Sequence, residues 1–131
     1  MPLKTAGLMV IAGLLSSSRA LALTPAEMQE QTVLHAAPQE LFRDYALTAC
    51  LGAAFPQISS QTSAAANGYI QYGEGPAEAY QEAGKAAQEF LKRDYVSQNG
   101  ADLSVMKCVD FAHSHKVDAL VRKYFPSSLH P

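Results

Sequence analysis

Cys108, Asp110, His113 and His115 fall within one short stretch, and together they bring a thiol, a carboxylate and two imidazoles. Those types allow two kinds of chemistry. A cysteine with a histidine base forms covalent intermediates, and two histidines with an aspartate supply three ligands of a transition-metal site. Spacing weighs against both. Each helical residue turns by about 100°, so Cys108 and His113 stand roughly 140° apart on a helix. His113 and His115 are two apart, which places them on different helix faces. They converge with Asp110 only if the chain breaks at Ser114, and four-ligand zinc spacing is missing. The plainer role for His113 is to close a helix C-terminus, where a cationic side chain favours the exposed carbonyls. Asp110, His113 and His115 are kept as an alternative metal set, and no cofactor is expected. Gly73-Glu74-Gly75 is not a phosphate loop, because no strand precedes it and the lysine and Ser/Thr are missing. The tyrosines at 45, 69, 72, 80, 95 and 124 read as core residues with their hydroxyls at the edge.

The elements that must position these residues are helical. Pro38 suits a first helical turn, and Phe42, Tyr45, Ala46, Ala49, Cys50 and Ala53 recur at helical spacing until Pro56 stops the run. Cys50 thus points inward. Ser63 is the expected N-cap of a second helix reaching Gly73, with Gly68 inside it marking either a close backbone approach or a weak helix. The Gly73-Glu74-Gly75-Pro76 breaker precedes a longer helix over residues 76–95, with Tyr80, Ala83, Ala87, Phe90 and Leu91 on one face. Residues 97–102 have loop chemistry, with Asn99-Gly100 as the turn. A short helix follows, with Val105, Cys108, Val109 and Ala112 expected on its inner side. Ser114 is the expected N-cap of a last helix striped by Val117, Leu120, Val121 and Tyr124. No segment alternates with period two. The spacing predicts an all-α fold, one bundle of four to five helices over residues 38–126. A polar arm or short helix over 23–37 precedes it, and a tail over 127–131 follows.

Lys4, the apolar run from Ala6 to Leu15 and the small-x-small Ala20-Leu21-Ala22 predict a signal peptide over residues 1–22. The run is shorter than the roughly 20 residues that span a bilayer, so no membrane attachment is expected after cleavage. The remainder has eight Lys/Arg against twelve Asp/Glu, a formal charge of −4. With no basic cluster in the sequence, that balance argues against nucleic acid as a partner. In an exported chain the only two cysteines, Cys50 and Cys108, are most simply one intramolecular disulfide. Intermolecular pairing and free thiols are the alternatives.

Two blocks carry a family likeness. Arg43-Asp44-Tyr45-Ala46-Leu47-Thr48-Ala49-Cys50-Leu51, followed by the Met-Lys-Cys-Val-Asp-Phe-x-His-Ser run from Met106 that continues to Tyr124, resembles the family 4 amidase immunity proteins of type VI secretion systems. The likeness spans about residues 41–124. It implies a periplasmic helical inhibitor, not an enzyme, that forms homodimers. Its partner would be a peptidoglycan amidase effector that cuts the D-glutamyl–diaminopimelate bond with its own cysteine and histidine. A loop that enters an enzyme cleft should be polar, tightly turned and held at both ends. Ser97, Gln98, Asn99, Gly100 and Asp102 fit that description, with Tyr95 and Val105 as the expected anchors, and form the candidate toxin-binding loop; the Gln-rich arm and the Gly73 to Pro76 turn are the rival contact surfaces. The alternative function is a periplasmic helical protein binding a metal or small ligand.

Overall fold

Thr24 and Glu27 cap each other to begin the first helix. The Glu27 carboxylate accepts from the Thr24 N–H at 2.7 Å, and the Thr24 hydroxyl accepts from the Glu27 N–H at 3.2 Å. This reciprocal capping box starts α1 (Pro25–His35), so the polar arm is helical. Its Thr-x-x-Glu signature was readable in the sequence. The computed structural model describes residues 22–126, without the side chains of residues 32–35. All but the last residue of the expected signal peptide, and the tail over 127–131, lie outside the described residues. No helix among the described residues is long and apolar enough to cross a membrane.

Five further α-helices make the bundle: α2 (Pro38–Ala54), α3 (Ser59–Gly73), α4 (Ala77–Leu91), α5 (Ser104–Ala112) and α6 (His115–Tyr124). The all-α expectation holds, and there is no strand among the described residues. α2 lies at the centre, in contact with the other four. Its inner face inserts Phe42, Ala46 and Cys50 into a core built with Ala79, Tyr80, Ala83, Ala87 and Phe90 of α4, Phe111 of α5, and Val117, Leu120 and Val121 of α6. The described side chains of α1 add nothing to that core.

Several boundaries depart from the sequence expectation. A single 3-10 turn (Pro56–Ile58) runs directly into α3, which therefore starts at Ser59, and Ser63 lies inside the helix. α4 ends at Leu91 and not near Tyr95, because the Lys92 and Arg93 N–H groups fold back onto the Glu89 and Phe90 carbonyls. The close backbone approach is at Gly52, where a Cβ would stand 2.7 Å from the Thr62 hydroxyl across the α2–α3 contact. At Gly68 a Cβ would meet nothing within 4 Å. Replacing Gly68 with Ala should therefore raise stability by about 1 kcal/mol, read as a higher urea midpoint at constant slope; an unchanged or lower midpoint would contradict the open geometry. The Gly73–Pro76 breaker is seen as expected. Glu74 occupies the left-handed region at φ 51°, and Gly75 lies so close to the Phe125 ring that any Cβ would collide with it.

Arg43 ties three helices together. Its guanidinium donates to the Ala112 carbonyl at 3.2 Å, at the end of α5, and to the Asp118 carboxylate of α6 at 2.6 Å. The Arg43 hydrogen bond holds the Asp118 carboxyl below its usual range. A depressed carboxylate pKa contributes stability above the unfolded value of about 3.9, and that contribution is lost as pH falls through the folded value. The Arg43→Met variant should thus be less stable than the parent at neutral pH. The gap should narrow once the pH drops below about 4, measured by thermal unfolding across an acid series. A gap that stays constant to pH 2 would rule out the Asp118 contribution.

Candidate functional site

Cys50 and Cys108 form a disulfide with Cα atoms 5.4 Å apart, and both are fully buried. The bond pins the nine-residue α5 to the central helix. Neither cysteine is free, so the thiol-nucleophile reading has no thiolate to use. Asp110 accepts a hydrogen bond from the Tyr95 hydroxyl at 2.8 Å. His113 is the exposed C-cap of α5. His115 opens α6 with its side chain fully in solvent, 3.9 Å from Asp118. Among the described residues no three His, Cys, Asp or Glu side chains are grouped to hold a metal, so Asp110, His113 and His115 do not converge. Ser114 is the N-cap expected of it, its hydroxyl accepting from the Val117 N–H at 3.3 Å.

The tyrosines do not line one groove. The Tyr45 and Tyr80 rings meet edge-on at 4.8 Å, and the Tyr80 hydroxyl accepts from the Gly75 N–H. The Tyr124 hydroxyl donates to Glu82 at 2.5 Å. That bond, with those of Lys123, keeps the Glu82 carboxyl below its ordinary range.

The loop from the end of α4 to α5 has a defined shape. Gln98 and Asn99 form its turn, and Gly100 takes φ +71°, the left-handed region that favours glycine. The Asn99 side-chain carbonyl accepts from the Ala101 N–H at 3.3 Å. Asp102 accepts from the Ser104 N–H at 2.9 Å and from the Ser104 hydroxyl at 2.6 Å, settling the chain into α5. Those two bonds hold the Asp102 carboxyl below its usual value. The base of the loop is clipped twice. Tyr95 reaches Asp110, and Lys107 donates to the Leu91 carbonyl at 3.2 Å while its ammonium sits 5.5 Å from the Tyr95 ring. Gln98, Asn99, Gly100 and Asp102 are exposed, and Ser97 is half-buried.

One expected anchor is corrected. Val105 is 56% exposed, and Lys107 holds the downstream end instead. α5 is also rotated from the expected face: Cys108, Phe111 and Ala112 are buried, whereas Val105 and Val109 point outward. With Met106 and the almost wholly exposed Val96, they leave an apolar surface beside the loop. The sequence signal was an apolar count on this helix greater than one buried face requires. Such exposed apolar groups beside a shaped polar loop are the ingredients of a protein-binding surface.

A family model described as Tai4, type VI secretion system (T6SS), amidase immunity protein, matches residues 40–121, from the first turn of α2 into α6. No curated protein matches the chain.

Proposed function

This chain belongs to the Tai4 family of T6SS amidase immunity proteins, and on that premise we propose that it plugs the active-site cleft of a peptidoglycan amidase effector with the loop over residues 97–102. The inhibitor acts in the periplasm, after removal of its leader, on an effector that cuts the D-glutamyl–diaminopimelate bond. It performs no catalysis of its own, and it works as a homodimer.

The observation that carries the reading is the loop itself. It is tightly turned, polar at its tip and fixed at its base by the Tyr95–Asp110 and Lys107–Leu91 hydrogen bonds. A preset loop enters a cleft without the ordering cost that a floppy one incurs on binding. Val96, Val105, Met106 and Val109 supply exposed apolar area at its foot. Polar tip and apolar base together match the composition of stable protein interfaces.

The test is inhibition of a panel of purified D-glutamyl–diaminopimelate amidase effectors, using muropeptide cleavage as the readout. Asn99→Trp and Asp102→Trp should weaken inhibition of the most sensitive effector by roughly thirtyfold or more, the scale of an interface hot spot, with the helical circular dichroism unchanged. Unchanged inhibition by both variants would remove the loop from the interface. Light scattering of the purified chain tests the homodimer, and a monomer at working concentration would overturn it.

A further inference from the structure

Charge is unevenly divided over the bundle. Lys85, Lys92, Arg93, Lys116, Arg122 and Lys123 lie on α4, just past its end, or on α6, leaving only Arg43 and Lys107 elsewhere among residues 22–126. Residues 22–74 carry Glu27, Glu30, Glu40, Asp44 and Glu74 against the single Arg43, whereas residues 75–126 balance seven Lys/Arg with seven Asp/Glu. Between α4 and the start of α6 runs an open groove of about 450 Å³, lined by Glu82, Lys85, Ala86, Glu89, Phe90, Arg93 and Lys116. Ala86 and the Phe90 ring give it apolar surface, and the Arg93 guanidinium lies over that ring at 4.0 Å.

The groove's acids are already engaged. Glu82 holds Lys123 at 3.1 Å and the Tyr124 hydroxyl, and Glu89 holds Lys92 at 2.8 Å. Lys85 and Lys116 are exposed and make no hydrogen bond or ion pair among the described residues. The groove therefore offers three available cations over an apolar strip. We infer that this α4–α6 groove docks an acidic segment of the amidase effector that also presents an apolar side chain.

Two considerations select that occupant. A free small anion would meet only solvent-exposed cations, which screening leaves weak. The groove, by contrast, runs along α4 to Arg93, four residues before Ser97, so a protein seated on the loop continues naturally across it. The inference rests on the immunity reading, and the rim position of these charges makes the rate of encounter the quantity they control.

The experiment measures association and dissociation of the effector most strongly inhibited in the panel, by biolayer interferometry at about 50 mM and about 500 mM salt. The Lys85→Glu/Lys116→Glu variant should associate about tenfold more slowly at the lower salt, converge with the parent at the higher salt, and dissociate at nearly the parental rate. A Glu27→Lys/Glu30→Lys variant, altered on the opposite half, should associate no more slowly than the parent. Equal association by the Lys85/Lys116 variant at low salt would overturn the groove assignment while leaving the immunity reading intact. So would a changed oligomeric state of that variant with unaltered effector binding, which would assign the groove to a second copy. Failure of the parent chain to inhibit any effector overturns the immunity reading, and the groove assignment with it.

Discussion

Replacing Cys50 and Cys108 together by alanine is expected to cost about 4 kcal/mol of folding stability. The two residues are 58 apart in sequence, and the chain-entropy model gives about that value for closing so long a loop in the unfolded chain. Total stabilities of about 5–15 kcal/mol leave little margin after such a loss. The burden falls unevenly. α5 buries only Cys108, Phe111 and Ala112, so without the disulfide it has two buried apolar side chains and three hydrogen bonds, Arg43–Ala112, Lys107–Leu91 and Tyr95–Asp110, to keep it docked. Urea unfolding of the oxidised parent and the double variant measures the total. Hydrogen exchange should show α5 and the loop before it losing protection ahead of α4. A variant as stable as the parent would mean that the clamp is redundant. The same change should weaken amidase inhibition beyond the fraction unfolded, because Lys107 and Asp110, which clip the loop, both ride on α5.

Phe42→Ala should be nearly as damaging, at roughly 4 kcal/mol, the range for emptying a fully buried aromatic site. Phe42 is 1% exposed, and its ring lies 4.9 Å from Phe125, 5.8 Å from Tyr80 and 6.3 Å from Tyr45, centroid to centroid. Those neighbours cannot easily close the hole. The Tyr45 hydroxyl is bonded to the Tyr80 carbonyl, the Tyr80 hydroxyl to the Gly75 N–H, and the Phe125 N–H to the Val121 carbonyl. A cavity lined by fixed groups keeps its cost, which is why the loss stays well within that range. The denaturant midpoint should fall with little change in slope. A loss below about 1.5 kcal/mol would show that the aromatic cluster collapses freely, as a volume-tolerant core does. Phe42 is far from the loop, so inhibition per folded molecule should be preserved, separating this variant from the cysteine pair.

The candidate site was partly legible before any coordinates. Asn99-Gly100 and Asp102 announce a turn through their own side chains and backbone freedom, and the structure places each in that role. The clips at the base were not legible in full. Tyr95 could be named as an anchor, but its partner Asp110 lies fifteen residues away, and Lys107 reaches the Leu91 carbonyl over a similar gap. Nor could the basic groove be seen in a chain of negative net charge, because its cations come from two helices separated by the whole loop and α5.

What the amino-acid order determined by itself is what short-range chemistry governs. The all-α fold follows from apolar residues at 3.6 spacing, and the stops at Pro56 and at Gly73 to Pro76 follow from backbone sterics. The cap at Ser114 follows from one hydroxyl within reach of one N–H. The Cys50–Cys108 pairing follows from two inward-facing cysteines in a chain expected to be exported. Tertiary structure decided the rest. α5 is apolar on two sides, and only contact with α2 and α4 selects the Cys108–Phe111–Ala112 side for burial, turning Val105 and Val109 outward. The close approach at Gly52 rather than Gly68, and the Arg43 bridge to Ala112 and Asp118, likewise depend on residues distant in sequence. Local periodicity can state that a helix has an apolar face; which of two such faces meets the core is fixed only when another helix arrives to cover it.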